Sequence, residues 1–291
     1  MKVPASPSAG VLYLVATPIG NLEDITLRAL RILKEADVIA CEDTRQTQKL
    51  LNHYGVTART ASYHEHNEMT RAAELVVELE EGAQVALVSD AGMPGISDPG
   101  YRLISLAIRH GIPVVPIPGA SAFVAALAAS GLPTDSFRFG GFLPAKRGAR
   151  RKELEHIQGS PRTQIFYEAP HRLQETLADV VEVLGPERQV VIAREVTKLH
   201  EEFLRGHAGD LVRQLAEREI KGEITLLIRA AEGAGKGPVP LEMPQKMSVR
   251  GRVAEVMQER QLDEKAALKV VAREMGVSKS EAYRELQRSK P

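Results

Sequence analysis

Short apolar runs alternate with amphipathic stretches through the first 118 positions of this chain. Val11 to Ala16, Val38 to Cys41, Val85 to Val88 and Val114 to Ile117 are strand-length runs rich in β-branched residues. Runs with no polar alternation read as strands covered on both faces, as in a parallel sheet. Between them Leu27 to Leu33, Arg45 to Tyr54, Met69 to Glu81 and Tyr101 to His110 carry a helical period, and Thr60 to Tyr63 reads as one more short strand. Repeated βα units of this length predict a parallel sheet with right-handed crossovers.

The texture changes after Pro118-Gly119. Ala120 to Ser130 is a small-residue helix, followed by strands at Phe137 to Phe142, Thr163 to Tyr167, Gln189 to Arg194, Glu202 to Gly206 and Glu223 to Arg229. Helices fall near Leu173 to Leu184 and Asp210 to Arg218, and the hairpin-like spacing of the late strands predicts a mixed sheet. The expected organisation is therefore an N-terminal α/β domain over 1–118 and a second α/β domain over 119–231. A Gly/Pro-rich linker over 232–246 and a helical module over 247–291 follow. In the module Val249, Val253, Val256 and Met257 mark one amphipathic helix, and Asp263 caps a second running to about Met275. Gly276-Val277 makes a turn, and Ser278-x-x-Glu281 is a capping box opening a third helix. With Ala272-x-x-x-Gly276 before Ser278, this pattern reads as a helix-turn-helix-like module, although such short patterns also occur in plain three-helix bundles.

Composition narrows the class. At 291 residues the chain exceeds one typical core, and 43% hydrophobic with 26% charged residues is ordinary for a soluble globular protein. No apolar run reaches the ~20 residues of a membrane span, and Met1 to Gly10 lacks the form of a signal peptide, so a cytoplasmic location is expected. The single cysteine, Cys41, excludes an intramolecular disulfide framework and reads as a buried strand thiol. No metal is expected: His64-Glu65-His66 is the nearest approach to ligand spacing, and i, i+2 histidines share a face only on a strand.

Chemistry gathers in three loops after predicted strands, where open α/β sheets bind ligands. Ser89 to Gly100 places three glycines, two prolines and two aspartates in twelve residues, which fixes a shaped loop and allows close backbone approach. Ala16 to Thr26 lacks both the Gly-Lys-Ser/Thr of a phosphate loop and the three-glycine dinucleotide spacing, so it does not grip a ligand by phosphates. Pro116 to Ala122 presents Ser121 and Ala122 at a helix start, where N–H groups remain open. Glu42-Asp43-Thr44-Arg45 has two readings: an acid for ribose hydroxyls, or a local Asp–Arg pair at a helix start.

Taken in order, these strings resemble the tetrapyrrole-methylase superfamily of S-adenosylmethionine-dependent enzymes, and within it the ribosomal RNA small-subunit methyltransferase I family. The strings are Thr17-Pro18-Ile19-Gly20-Asn21-Leu22-x-Asp24-Ile25-Thr26, Glu42 to Arg45, Ser89 to Gly100, Pro118 to Ala122 and Gly141-Phe142-Leu143-Pro144. Tyr167-Glu168-Ala169-Pro170-His171-Arg172, Arg194-Glu195-x-Thr197-Lys198 and Lys221-Gly222-Glu223 continue the match through about Arg229. The resemblance implies a two-domain α/β fold, with a parallel-sheet N-terminal domain and a mixed-sheet second domain, the cofactor lying in the cleft between them. It implies 2′-O-methylation of a cytidine in the decoding region of 16S rRNA, with S-adenosylmethionine as methyl donor. It also implies the small ribosomal subunit as partner and a homodimer. Carried over by residue, Pro18, Gly92, Met93, Pro94, Ile96, Ser121, Ala122, Tyr167 and Glu168 would meet the cofactor. Met93 departs from the superfamily pattern, which has Asp there, so backbone contacts are expected in its place.

Methyl transfer to a ribose hydroxyl needs in-line placement, and a positioned base adds about 10²–10⁴-fold. Asp43, Asp90 and Glu223 are candidate bases or orienters and Lys221 a candidate charge stabiliser; Asp90 reads equally as a loop cap. For RNA, Lys146, Arg147, Arg150, Arg151 and Lys152 put five cations in seven positions, and Gly148 among them predicts no continuous helix. A solvated charged face is one reading, and phosphate contact is favoured over it because the run follows the Phe142-Leu143-Pro144 loop. Lys246 to Pro291 has eleven basic and seven acidic residues, so it carries +4 while the whole chain sums to zero. Two rival readings are a tetrapyrrole C-methyltransferase on the same scaffold and a non-enzymatic nucleic-acid-binding regulator.

Overall fold

In the computed structural model, residues 10–231 are described, with 262–274 and positions 253, 256, 257, 283 and 286 of the tail. The chain divides into two compact units at 235/236.

The first unit holds two five-stranded sheets. The first comprises β1 (Val11–Val15), β2 (Val38–Cys41), β3 (Arg59–Ser62), β4 (Gln84–Val88) and β5 (Val114–Ile117), ordered β3-β2-β4-β1-β5 and parallel throughout. Alternation within the buried strands divides their side chains between two cores. Leu12, Val85 and Leu87 pack with Leu75 of α3 (Glu68–Glu80) and Leu103 of α4 (Tyr101–Arg109). Ala86, Val88 and Cys41 pack with Ile32 of α1 (Leu27–Glu35) and Leu51 of α2 (Thr44–His53). Cys41 is thus the buried strand thiol expected, and burial pushes its pKa up. Helix starts follow capping chemistry: Thr26 accepts from the Ala29 N–H at 3.0 Å and opens α1.

The second sheet comprises β6 (Phe137–Phe142), β7 (Thr163–Glu168), β8 (Gln189–Arg194), β9 (Glu202–His207) and β10 (Ile224–Ile228), ordered β6-β7-β10-β8-β9. β6 and β7 are parallel and the other pairs antiparallel, the mixed sheet expected. One face packs on α6 (Arg147–Ile157), α7 (Leu173–Leu184) and α8 (Ala208–Leu215) through Leu154, Leu177, Leu211, Phe166 and Leu226. The other receives α5 (Ala122–Ser130), whose Ala126 and Leu127 meet Ile165, Val191 and Leu227. The chain thus leaves the first sheet at β5 and lays the next helix on the second sheet, which brings the Pro118–Ser121 loop between them.

One secondary-structure expectation is corrected. Residues Arg147–Ile157 form a helix across Gly148. Gly148 sits in the first turn, where the cost of glycine is small, and a Cβ there would meet nothing within 4 Å. What holds the helix is α7: Arg147 Nε and Arg150 Nε reach the two Asp179 carboxylate oxygens at 2.9 and 2.8 Å, and Arg151 reaches Glu182 at 2.6 Å.

The second unit has its own core of Val253, Val256, Ala267, Leu268, Val271, Ala272 and Leu286. Its helix α9 (Glu264–Glu274) starts after Asp263, whose carboxylate accepts from the Ala266 N–H at 2.7 Å, as the sequence indicates. The 232–246 linker, the Gly276-Val277 turn and the Ser278–Glu281 box lie outside the described residues. Among the described residues no helix is long and apolar enough to cross a membrane.

Candidate active site

The first and glycine-rich loops are zipped together. Thr17 and Gly92 pair by two main-chain bonds, and the Thr17 hydroxyl donates to the Ser89 carbonyl at 3.1 Å. Gly92 adopts φ +83° and Gly95 φ +81°, left-handed values that favour glycine. The Gly92 N–H and carbonyl are therefore engaged within the protein, in the bridge to Thr17.

Two adjoining cavities open around this junction, with Ile19, Ala91 and Glu223 in the walls of both. The first, about 250 Å³, is walled by Ile19, Gly92, Met93, Ile96, Ser121, Ala122, Phe142, Tyr167 and Thr225. Six of the nine residues expected at the cofactor converge here: Gly92, Met93, Ile96, Ser121, Ala122 and Tyr167. The second, about 510 Å³, is more polar and is lined by Thr17, Pro18, Gly20, Gln46, Lys49, Asp90 and Lys198. Pro18 thus faces the second cavity, and Pro94, buried in its loop, lines neither.

Glu168 is a further correction. Along β7 Ile165 and Tyr167 face α5 and the first cavity, while Phe166 and Glu168 face α7. The Glu168 carboxylate is buried, accepting from the Thr176 hydroxyl at 2.6 Å and the Ala169 N–H at 2.7 Å and pairing with Arg172 at 2.9 Å. It supports the strand end and does not reach the cavity, because side chains alternate across a strand.

Tyr167 anchors an aromatic cluster, edge-on to Phe139 and Phe142 with centroids at 5.0 and 5.5 Å. Burial raises its pKa, against a hydrogen bond from the Phe123 main-chain N–H. Ser121 precedes α5 without a side-chain bond to the helix, so its hydroxyl is open to the cavity. Asp98, which sequence reasoning did not single out, stands in the same cavity. Burial, then the charges of Glu42 and Asp90, push its carboxyl up to about 6. Among the described residues it has neither an ion pair nor a hydrogen-bond partner. Its sequence signal was its place in the Ser89–Gly100 loop.

The remaining candidates separate. Asp43 caps α2 and grips Arg45 through Nε at 3.2 Å and Nη2 at 2.8 Å, which holds its carboxyl down to about 2. Of its two sequence readings, the local Asp–Arg pair is the one observed. Asp90 accepts from the Asp43 N–H at 3.3 Å and lines the second cavity. Lys221 is exposed, pairs with Glu219 at 3.1 Å and lines neither cavity. Lys198, missed although it belongs to the Arg194–Lys198 string, stands in the second cavity with its ammonium 2.8 Å from Glu195 and 3.2 Å from Glu223.

The basic run is divided by burial. Lys146 and Lys152 are exposed, Arg147 and Arg151 are tied to α7, and Arg150 is 0% exposed against Asp179. Arg150 therefore cannot meet a phosphate, which corrects that expectation. His64 and His66 meet edge to face at 5.9 Å, and no group of three potential metal ligands occurs among the described residues.

Residues 11–212 match the family model described as Tetrapyrrole (Corrin/Porphyrin) Methylases. A protein of Halalkalibacterium halodurans named ribosomal RNA small subunit methyltransferase I is 52% identical over 274 residues, covering 94% of this chain and 93% of its own. One of the same name from Mesorhizobium japonicum is 52% identical over 242 residues, 83% of this chain and 82% of its own. Among solved structures, a diphthine synthase superposes with a TM-score of 0.58 at 14% identity, over 76% of this chain and 90% of that one, a likeness of fold.

Proposed function

The chain belongs to the tetrapyrrole methylases, and within them to the ribosomal RNA small subunit methyltransferase I family; on that premise we propose that it methylates the ribose 2′-oxygen of a cytidine in the decoding region of 16S rRNA, with S-adenosylmethionine as donor. The observation that carries this reading is the pair of cavities meeting at Ile19, Ala91 and Glu223. One is enclosed by apolar and aromatic side chains with a few polar groups, the other is polar and open, as a cofactor and a nucleotide placed end to end require.

The residues of the first cavity fit the donor. Met93, Ile96 and Tyr167 supply apolar walls for a nucleoside. The Ser121 hydroxyl and the α5 N-terminus suit a carboxylate, and Asp98, without a partner among the described residues, suits a cationic group. When bound, the cofactor supplies a methyl already activated on a sulfonium, so the protein has to place a hydroxyl in line and take its proton. Glu223 stands where both cavities meet and Asp90 faces the second, so these two remain as orienting or accepting groups. Lys49 and the exposed Lys146 and Lys152 supply positive charge for the RNA backbone.

We read the partner as the small ribosomal subunit and the compartment as the cytoplasm. A homodimer is read from the family resemblance. Labelled methyl transfer to purified 30S subunits, naked 16S rRNA and a tetrapyrrole precursor tests the proposal. The expected product is labelled rRNA with one linkage resistant to alkaline hydrolysis, because a 2′-O-methyl removes the attacking hydroxyl. Label on the tetrapyrrole, or on a base, would overturn it.

A further inference from the structure

The turn joining β8 to β9 is the most strained segment of the site. Glu195 and Thr197 are non-glycine residues at φ 53° and 68°. Such residues cost roughly 1–3 kcal/mol each and persist only where surrounding contacts over-determine them. Here the contacts are many. Glu195 N–H donates to the Glu223 carbonyl at 2.9 Å, and the Thr197 N–H to Glu201 at 2.6 Å. The Thr197 hydroxyl donates to Asp24.

What this backbone delivers is the side chain of Lys198. Its stem lies across Gly20, where a Cβ would come within 2.2 Å of the Lys198 Cγ. Its ammonium bridges Glu195 Oε1 at 2.8 Å and Glu223 Oε2 at 3.2 Å. Glu195 is itself fixed: Oε1 accepts from the Glu223 N–H at 2.8 Å, and its chain packs on Gly222, where a Cβ would fall 2.5 Å from its carboxyl carbon. Burial disfavours the Lys198 charge, but its hydrogen bonds to both glutamates outweigh burial and raise the pKa. Lys198 is therefore a cation, and Glu195 is its anchor. Glu223 differs from that anchor. Its carboxylate is 73% exposed and lines both cavities, and among the described residues only one of its oxygens is taken.

We infer that Lys198 is a positioning residue: held by Glu195 on the strained turn, it fixes one oxygen of Glu223 and leaves the other aimed at the cavity junction, to receive the proton of the target hydroxyl. The inference rests on the methyl-transfer reading above. In the step, the ribose oxygen bonds to the methyl carbon, the carbon–sulfur electron pair returns to sulfur, and the hydroxyl proton passes to Glu223. Its exposure lets that proton exchange with solvent.

The test uses the full chain with K198M, K198R, E223Q and the double variant K198M/E223Q. Removing a base should lower kcat about 10²–10⁴-fold in E223Q, and removing its holder should lower kcat at least about 10-fold in K198M. The rRNA KM and cofactor affinity should stay within about threefold, K198R should recover most of the rate, and the double variant should be no slower than E223Q, as for groups acting as one unit. A second readout needs no turnover. In the unliganded protein, the ¹³C-carboxyl resonance of Glu223, assigned by its loss in E223Q, should move in K198M and stay in K198R. K198Q replaces K198M if the latter does not melt cooperatively. An unmoved resonance, additive losses, or a raised rRNA KM at unchanged kcat would overturn the inference, the last making Lys198 a phosphate contact. A wild-type protein inactive on subunits and rRNA would overturn the methyl-transfer reading, while the resonance would still decide whether Lys198 holds Glu223.

Discussion

Thr17 and Gly92 exchange both main-chain hydrogen bonds, at 2.9 and 3.1 Å, across two loops 75 positions apart in sequence. This bridge seals the end of the first sheet and sets the floor shared by the two cavities. It fixes Gly92 at φ +83°, with Ile19 Cγ2 only 3.5 Å from where a Cβ would stand.

Gly92→Val should therefore remove measurable S-adenosylmethionine binding while the protein still folds. The backbone strain is about 1–3 kcal/mol, and the added methyls enter the space between Gly92 and Ile19. Gly92→Ala, whose Cβ makes only ordinary contacts, should bind more weakly than wild type yet detectably. Calorimetric titration beside thermal melting measures both, and unchanged affinity in the valine variant would place the cofactor elsewhere.

Asp98 gives a pH signature with a definite sign. Its carboxyl is pushed up to about 6 in the folded protein from the ordinary 3.8, so between those values the native state holds a proton that the unfolded chain has lost. Stability consequently falls as pH rises through that window and the penalty is complete above it. Asp98→Asn should raise the melting temperature at pH 7.5, and the gain should vanish near pH 4. A cationic cofactor should bind wild type more tightly as pH rises through 6, with proton release below it, and this dependence should be absent in the variant.

The basic helix α6 contains two kinds of cation. Arg150→Met leaves the buried Asp179 carboxylate short of a partner and should cost about 3–5 kcal/mol, seen as a large fall in melting temperature. Lys146→Glu and Lys152→Glu, both at exposed positions, should leave melting unchanged and weaken rRNA binding. For every phosphate no longer neutralised, the log–log salt slope in filter binding should fall by roughly 0.7–0.9.

Removing residues 236–291 deletes one compact unit and none of the cavity walls. Cofactor affinity should stay within a few-fold, while rRNA affinity falls and its salt dependence becomes shallower, since residues 246–291 carry +4. An unchanged salt slope would make the tail a packing element.

Much of the architecture was legible in the residues. The apolar runs at Val11, Val38, Val85 and Val114 read as strands of a parallel sheet, and the Gly/Pro density of Ser89–Gly100 reads as a shaped loop, because both follow from local sterics and burial. The helix over Arg147–Ile157 was not legible. Its local signal, a glycine among arginines, is unfavourable, and it is held by Asp179 and Glu182 some 30 positions away.

Side-chain direction separated the motif residues in the same way. Tyr167 and Glu168 are neighbours in one string, yet the strand's alternation turns one into the cavity and buries the other against Thr176. Lys198 and Lys221 are both lysines of recognisable strings, and only the strained turn at Glu195–Thr197 carries the former to the cavity while the latter stays in solvent. Sequence by itself determined the elements other than α6, the order of the loops and the family, since those depend on neighbours along the chain. Which carboxylate lies unpartnered in a cavity and which is neutralised by an arginine was decided only by tertiary structure, because electrostatic environment is set by groups brought together through space.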